Sequence, residues 1–209
     1  MTPEFTDITH QVELYYTRKV ESHGATAKGA DWNSTESQTL RFEQLAKLLP
    51  LREYFSINDY GCGYGALVAY LNTNQYDFAY YGFDISERMI EEARRLNSAT
   101  PHRQFTSIES DLPIADYTLL SGIFNVKMDN TTARWQKYVL HTLDKVNKIS
   151  RKGFAFNALT NYADADKMRV DLYYADPMFI FDYCKRTFSR YIAVLHDYPL
   201  YEFTIVVRK

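Results

Sequence analysis

The residues with the clearest chemical purpose run Ile57-Asn58-Asp59-Tyr60-Gly61-Cys62-Gly63-Tyr64-Gly65-Ala66-Leu67. Alternate glycines at a strand-to-helix turn let the backbone bend sharply and come within contact of a ligand, and the helix that follows aims free N–H groups at it. Further along, Asp84 closes the run YYGFD, where a carboxylate at a strand end can accept both hydroxyls of a ribose. The pair points to a nucleotide-type ligand lying across the turn. Gly61, Gly63 and Ala66 also satisfy the dinucleotide fingerprint, so the glycines alone leave a nicotinamide-dependent oxidoreductase open.

A turn of this kind needs a parallel sheet behind it. From residue 34 onward, short β-rich runs alternate with amphipathic helical stretches, the pattern of parallel strands joined by helical crossovers. Strands are expected over residues 55–60, 78–83, 103–106, 117–123, 154–159, 191–196 and 201–207. Helices are expected to start near Tyr64, Ser86, Thr131 and Pro177, with Trp135, Val139, Leu143 and Val146 as the buried stripe of the third. Asp176 before Pro177 reads as an N-cap followed by proline at the first helical position. Only DYPL separates the last two strands, too short for a helical crossover, so that pair must be antiparallel.

Ahead of this core, Thr35 with Gln38, or Asn33 with Glu36, supplies a capping box for a helix reaching about Leu49. Residues 13–20 could form a short helix, and residues 23–33, with two glycines and little periodicity, read as a loop. The expected division is an N-terminal helix and lid over residues 1–33 and a main domain over 34–209.

The 209 residues, 46% apolar and 24% charged, suit one globular α/β domain and exclude a disordered or collagenous chain. A formal charge of -2 provides no general field for holding a polyanion, so no nucleic-acid partner is expected. The N-terminus lacks a basic and apolar leader, and no apolar run is long enough to span a bilayer, so a cytoplasmic chain with no membrane partner is expected. Two cysteines and five histidines show no ligand spacing, and no metal is expected.

Asp59 two residues before Gly61, the segment preceding the motif and the terminal antiparallel hairpin together resemble the class I S-adenosylmethionine-dependent methyltransferases, over roughly residues 34–209. The resemblance implies a Rossmann-like, seven-stranded, mostly parallel sheet with a reversed last strand, helices on both faces and an N-terminal helical lid. It implies S-adenosyl-L-methionine as cofactor, its methionine part carried by Gly61, Gly63 and Gly65 and its ribose by Asp84. Asp59, Cys62 and Ile85 complete the expected cofactor site. Ser107, Glu109 and Asp111 are all candidates for the adenine contact and spacing does not choose among them; Glu109 and Ser121 are counted among the cofactor residues. Asp31, Trp32, Asn33, Gln38 and Arg41 cluster before and within the helix ahead of the first strand, with Trp32 as a cofactor lid and Arg41 as a carboxylate clamp.

Nucleic-acid base methyltransferases of this kind commonly carry an Asn/Asp-Pro-Pro-Tyr motif after strand four. Here the chain reads Ser121-Gly122-Ile123-Phe124-Asn125-Val126-Lys127, so a small-molecule acceptor is expected, methylated at oxygen or nitrogen. In an open α/β sheet the ligand lies beyond the carboxyl ends of the parallel strands. That filter keeps Asn125 and Lys127, residues 160–176, and His196, Asp197 and Tyr198; of these His196, as the base, and Asn125 are the catalytic candidates, with Tyr162, Tyr173 and Tyr174 as aromatic walls. The rival readings are the oxidoreductase and a non-catalytic methyltransferase-like binding protein.

Overall fold

The carboxyl ends of five parallel strands set the position of the site. In the computed structural model, which describes residues 3–98 and 100–209, the strands are β1 (Phe55–Tyr60), β2 (Phe78–Phe83), β3 (Arg103–Thr106), β4 (Ala115–Leu120), β5 (Ser150–Thr160), β6 (Tyr174–Ala175), β7 (Tyr191–Leu195) and β8 (Glu202–Arg208). The helices are α1 (Thr6–His23), α2 (Thr35–Ala46), α3 (Ala66–Thr73), α4 (Glu87–Leu96), α5 (Thr132–Ile149) and α6 (Pro177–Thr187). The first two residues of the expected 1–33 segment lie outside the described residues.

The sheet runs β3-β2-β1-β4-β5-β8-β7, with β6 added beside the end of β5. Strands β3, β2, β1, β4 and β5 pair in parallel, and β8 lies antiparallel to both β5 and β7. The order reverses between β1 and β4, which opens a crevice at their carboxyl ends. The expected mostly parallel sheet with a reversed last strand is what forms, with one addition. Tyr174–Ala175 makes an eighth strand too short to show as a periodic run in sequence.

Two apolar layers cover the sheet. On one face Phe42 and Leu45 of α2 and Leu67 and Leu71 of α3 pack with Phe55 and Ile57. On the other, Ile8 of α1, the expected Trp135, Val139, Leu143 and Val146 stripe of α5, and Ile180 of α6 pack against Phe154, Phe156 and Phe203. Burying each such side chain contributes roughly 1.5–3 kcal/mol, so both layers hold the strand ends in fixed register.

The departures from expectation have local causes. The α1 helix has 18 residues rather than a short piece, because Ile8, Val12, Tyr16 and Val20 recur at every fourth position and form one face. The α2 cap is Ser34, whose side chain accepts from the Ser37 N–H while the Ser37 hydroxyl answers the Ser34 N–H. This reciprocal serine pair replaces the expected glutamine or glutamate box, and the helix stops at Ala46 before a turn to Leu49. Strand β4 ends at Leu120, and Ser121 to Ile123 form the turn beyond it, with Gly122 at φ +72°.

Candidate active site

Three glycines, Gly61 (φ +83°), Gly63 (φ +53°) and Gly65 (φ +81°), take the chain from β1 into α3 through left-handed backbone that other residues adopt only under strain. The turn is bolted to β2, since Gly61 N and Cys62 N both donate to Phe83 O, at 2.7 and 2.8 Å. Space is also lacking there: a Cβ on Gly61 would lie 2.2 Å from Ile123 Cγ2. The Gly63 N–H donates to Asp84 Oδ2 and the Ser86 N–H to Asp84 Oδ1, each at 2.9 Å.

Burial shapes the charges beneath this turn. It raises the Asp84 carboxyl to about 6, against the pull of the Ser86 and Gly63 N–H groups. It raises Asp59 to about 7, although the Tyr80 hydroxyl donates to Asp59 Oδ2 at 2.6 Å and favours the ionised form. Burial, with the carboxylates of Asp59 and Asp84 nearby, pushes the Cys62 thiol well above its ordinary value, so it stays protonated and unreactive.

The turn floors a cavity of about 110 Å³. Its walls include Asp84, Ile85 and Met89 from the β2–α4 region, Glu109, and Ser121 to Ile123 after β4. Thr9, Val12 and Tyr16 of α1 close it from the other side, with Trp32. A second cavity, of about 320 Å³, adjoins it and shares Tyr16, Ala30, Trp32 and Gly122 with the first. The Trp32 indole lies against Gly122 so closely that a Cβ there would come within 1.9 Å of its ring. The ring also stacks on the Arg41 guanidinium, 4.1 Å from the ring centroid.

Comparison with known proteins gives this geometry a family. The family described as Methyltransferase domain matches residues 57–153, which hold most of β1, the glycine turn, Asp84 and β2 to β4. Rv1506c of Mycobacterium tuberculosis, a methyltransferase by its given name, is 49% identical over 155 residues, covering 74% of this chain and 93% of that protein. The chain is a class I S-adenosylmethionine-dependent methyltransferase. Among solved structures, the N-methyltransferase NodS of Bradyrhizobium japonicum superposes with a TM-score of 0.65 at 13% identity, over 95% of this chain and 98% of that one. A SAM-dependent methyltransferase of Leishmania major gives 0.61 at 15% identity, over 96% and 82%. At such identities the likeness is one of fold. The relative's identity, unlike the glycines, separates the methyltransferase from the nicotinamide reading.

Most of the cofactor residues expected from sequence converge in the methyltransferase. Asp59, Gly61, Cys62, Gly63, Asp84, Ile85, Glu109, Ser121 and Trp32 all line the first cavity, and Gly65 caps α3 just behind it. One cofactor candidate, Arg41, and one catalytic candidate, His196, are placed differently. Arg41 lines only the second cavity, and its charge is already committed: Nε and Nη2 donate to the Glu202 carboxylate at 2.5 to 3.0 Å, and Nη1 to Ser37 O at 2.7 Å. It holds β8 to α2, with its charge paired to Glu202. His196 lines neither cavity; it is exposed beside the rings of Tyr162 and Phe203, each 6.1 Å away. Of the loop tyrosines, Tyr174 lines the second cavity, Tyr173 is buried and Tyr162 is exposed.

Several site residues gave no signal in sequence. Tyr16 sits on a helix whose polar composition hid its cavity-facing stripe. Lys145 of α5 pairs with Glu109, which also accepts from the Tyr60 hydroxyl, so this candidate for the adenine contact is anchored from two elements. Asn157 of β5 donates to Glu202 Oε2 at 2.5 Å and accepts the Gly122 N–H at 2.8 Å, fixing the turn against which Trp32 lies. Among the described residues, no cluster of His, Cys, Asp or Glu could hold a metal ion, and no helix is long and apolar enough to cross a membrane.

Proposed function

We propose that the protein moves the methyl group of S-adenosylmethionine to a small-molecule acceptor, with the two adjoining cavities as cofactor and acceptor sites. The carrying observation is their shared wall of Tyr16, Ala30, Trp32 and Gly122, which puts a ligand held on the glycine turn next to one held beside Asn125. The residues fit the cofactor. The positive-φ glycines leave no side chain on the turn, so a ligand can lie against its backbone, Asp84 presents a carboxylate to the cavity, and Ser121 Oγ is buried without a partner.

In this reading Gly61, Gly63 and Gly65 carry the methionine portion, Asp84 the ribose hydroxyls, and Glu109, braced by Lys145 and Tyr60, the base. When bound, the cofactor supplies a methyl carbon made electrophilic by its sulfonium. The protein's own work is alignment and exclusion of water: Tyr16 and Trp32 cover the junction, and α1 closes the site. The covering helix is itself secured, since Thr17 Oγ1 and Ser86 Oγ share a hydrogen bond at 2.7 Å and Lys19 pairs with Asp31 at 2.6 Å. Calorimetry with S-adenosylhomocysteine and with NADH tests the cofactor. Binding of NADH in preference to S-adenosylhomocysteine sinks the proposal, and transfer of labelled methyl from the cofactor into a metabolite extract supports it.

A further inference from the structure

Five residues from five parts of the chain close a circuit at the wall that the two cavities share. Arg41 of α2 donates Nε and Nη2 to the Glu202 carboxylate of β8 at 2.5 to 3.0 Å. Glu202 Oε2 accepts from Asn157 of β5 at 2.5 Å, and Asn157 Oδ1 accepts the Gly122 N–H at 2.8 Å. Gly122 lies against the six-membered ring of Trp32, where a Cβ would come within 1.9 Å of Cη2. The Trp32 ring in turn stacks on the Arg41 guanidinium, which closes the circuit. Its polar side chains are sealed from solvent: Arg41 is 7% exposed, Glu202 1% and Asn157 0%.

Holding β8 to α2 does not require charge, since an apolar pair of similar volume often serves a protein interior as well or better. What an apolar pair lacks is direction. The guanidinium commits Nη1 to Ser37 O at 2.7 Å and its other two nitrogens to Glu202, so its flat face meets the indole in one orientation. The same carboxylate orients the Asn157 amide, whose Nδ2 faces Glu202 and whose Oδ1 faces Gly122. One anion thus sets both sides of the contact between Trp32 and Gly122, and those two residues line both cavities. Methyl transfer requires acceptor, carbon and sulfur to stay in line, and a displacement of about 1 Å caused by a remote change can cost about 10²-fold.

We infer that Glu202 is a positioning residue for methyl transfer, acting through Arg41 on Trp32 and through Asn157 on Gly122 to fix the partition between the cofactor and acceptor sites. This inference rests on the methyltransferase reading of the two cavities.

Two variants separate positioning from cohesion. Arg41→Lys keeps a cation beside Glu202 and loses the flat face, and Arg41→Met/Glu202→Met removes both charges at similar volume, together with the acceptor for Asn157. A cooperative thermal melt establishes that each is folded. Tryptophan emission should shift to the red and acrylamide quenching should rise, more in the Met pair than in Arg41→Lys. The same changes in a Trp32→Phe background, where Trp135 alone emits, should leave emission unmoved. Methyl label passed from S-adenosylmethionine into a metabolite extract should fall by about 10- to 100-fold in the Met pair, with a smaller loss in Arg41→Lys. S-adenosylhomocysteine affinity should hold, because the glycine turn and Asp84 lie outside the circuit. Wild-type emission and transfer in the folded Met pair, or in Arg41→Lys if the Met pair does not fold, overturns the inference and leaves Arg41 and Glu202 a structural pair. A loss of S-adenosylhomocysteine affinity matching the loss of transfer overturns the placement at the partition. No label from the wild type with S-adenosylhomocysteine bound overturns the small-molecule reading, and failure to bind S-adenosylhomocysteine overturns the cofactor; in both cases Trp32 emission still decides the circuit.

Discussion

Gly63 donates its backbone N–H to the carboxylate of Asp84 at 2.9 Å, so the turn after β1 and the end of β2 are one unit. The same carboxylate accepts from Ser86 N and faces the cavity, which gives Asp84 a structural and a binding role together.

Asp84→Ala therefore has opposing effects on stability. It strands two buried N–H groups, a cost of roughly 1–3 kcal/mol each. It also removes a carboxyl that burial has raised to about 6, relieving about 3 kcal/mol at pH 8. Against about 2–6 kcal/mol for the two groups together, that relief leaves a net loss of at most about 3 kcal/mol, so the melting temperature should stay level or fall modestly. Losing two charge-assisted bonds to ribose should weaken S-adenosylhomocysteine by about 3–4 kcal/mol, roughly 200- to 800-fold. Calorimetry finding unchanged affinity in the variant would remove Asp84 from the cofactor site.

Asp59→Asn should stabilise the protein above neutral pH. The unfolded carboxyl ionises near 3.8, the folded one near 7 because of burial, so the folded state holds a proton that the unfolded state releases between those values. Stability falls as pH rises through that window and the full cost remains above it. Asparagine removes the cost and its Oδ1 can still accept from Tyr80. The variant should gain up to about 4 kcal/mol at pH 8, with the gain vanishing below pH 4. Urea midpoints at the two pH values check this, and an equal shift at both would refute the buried-charge account.

Gly122→Ala should dislodge Trp32, because the new Cβ would meet its ring at 1.9 Å and Gly122 sits at φ +72°. Trp135, buried with its indole N–H donating to Phe124 O at 2.8 Å, should report no change. Tryptophan emission should shift to the red, and trypsin should cut faster after the exposed Lys28. In the unaltered protein S-adenosylhomocysteine should slow that cut, whereas Lys19, inside α1 and paired with Asp31, should resist in both states. Identical emission in wild type and variant would show that Trp32 does not seal the junction.

His196→Gln should leave turnover within about twofold, since the side chain lies outside both cavities; a proton-transferring residue would cost about 10²- to 10⁴-fold. Steady-state kinetics with the acceptor found by methyl labelling decides. A loss in the larger range would mean that the β7–β8 turn swings into the site.

Much of this protein was decided by local sequence. The β1, β2 and β3 limits follow from period and flanking turn residues, and the caps at Ser86, Thr131 and Asp176 are chemistry confined to three or four neighbours. The glycine turn and Asp84 were legible because the φ values and the strand-end position are fixed by adjacent residues. Which side chains meet across the crevice is another matter. Arg41 and Glu202 lie 161 positions apart, and nothing near either one says that they pair. The placement of His196 outside both cavities depends on the direction of the β7–β8 hairpin, and the arrival of Tyr16 on how α1 lies over the sheet. Charge pairing and cavity walls depend on long-range packing, so the tertiary structure alone decided them.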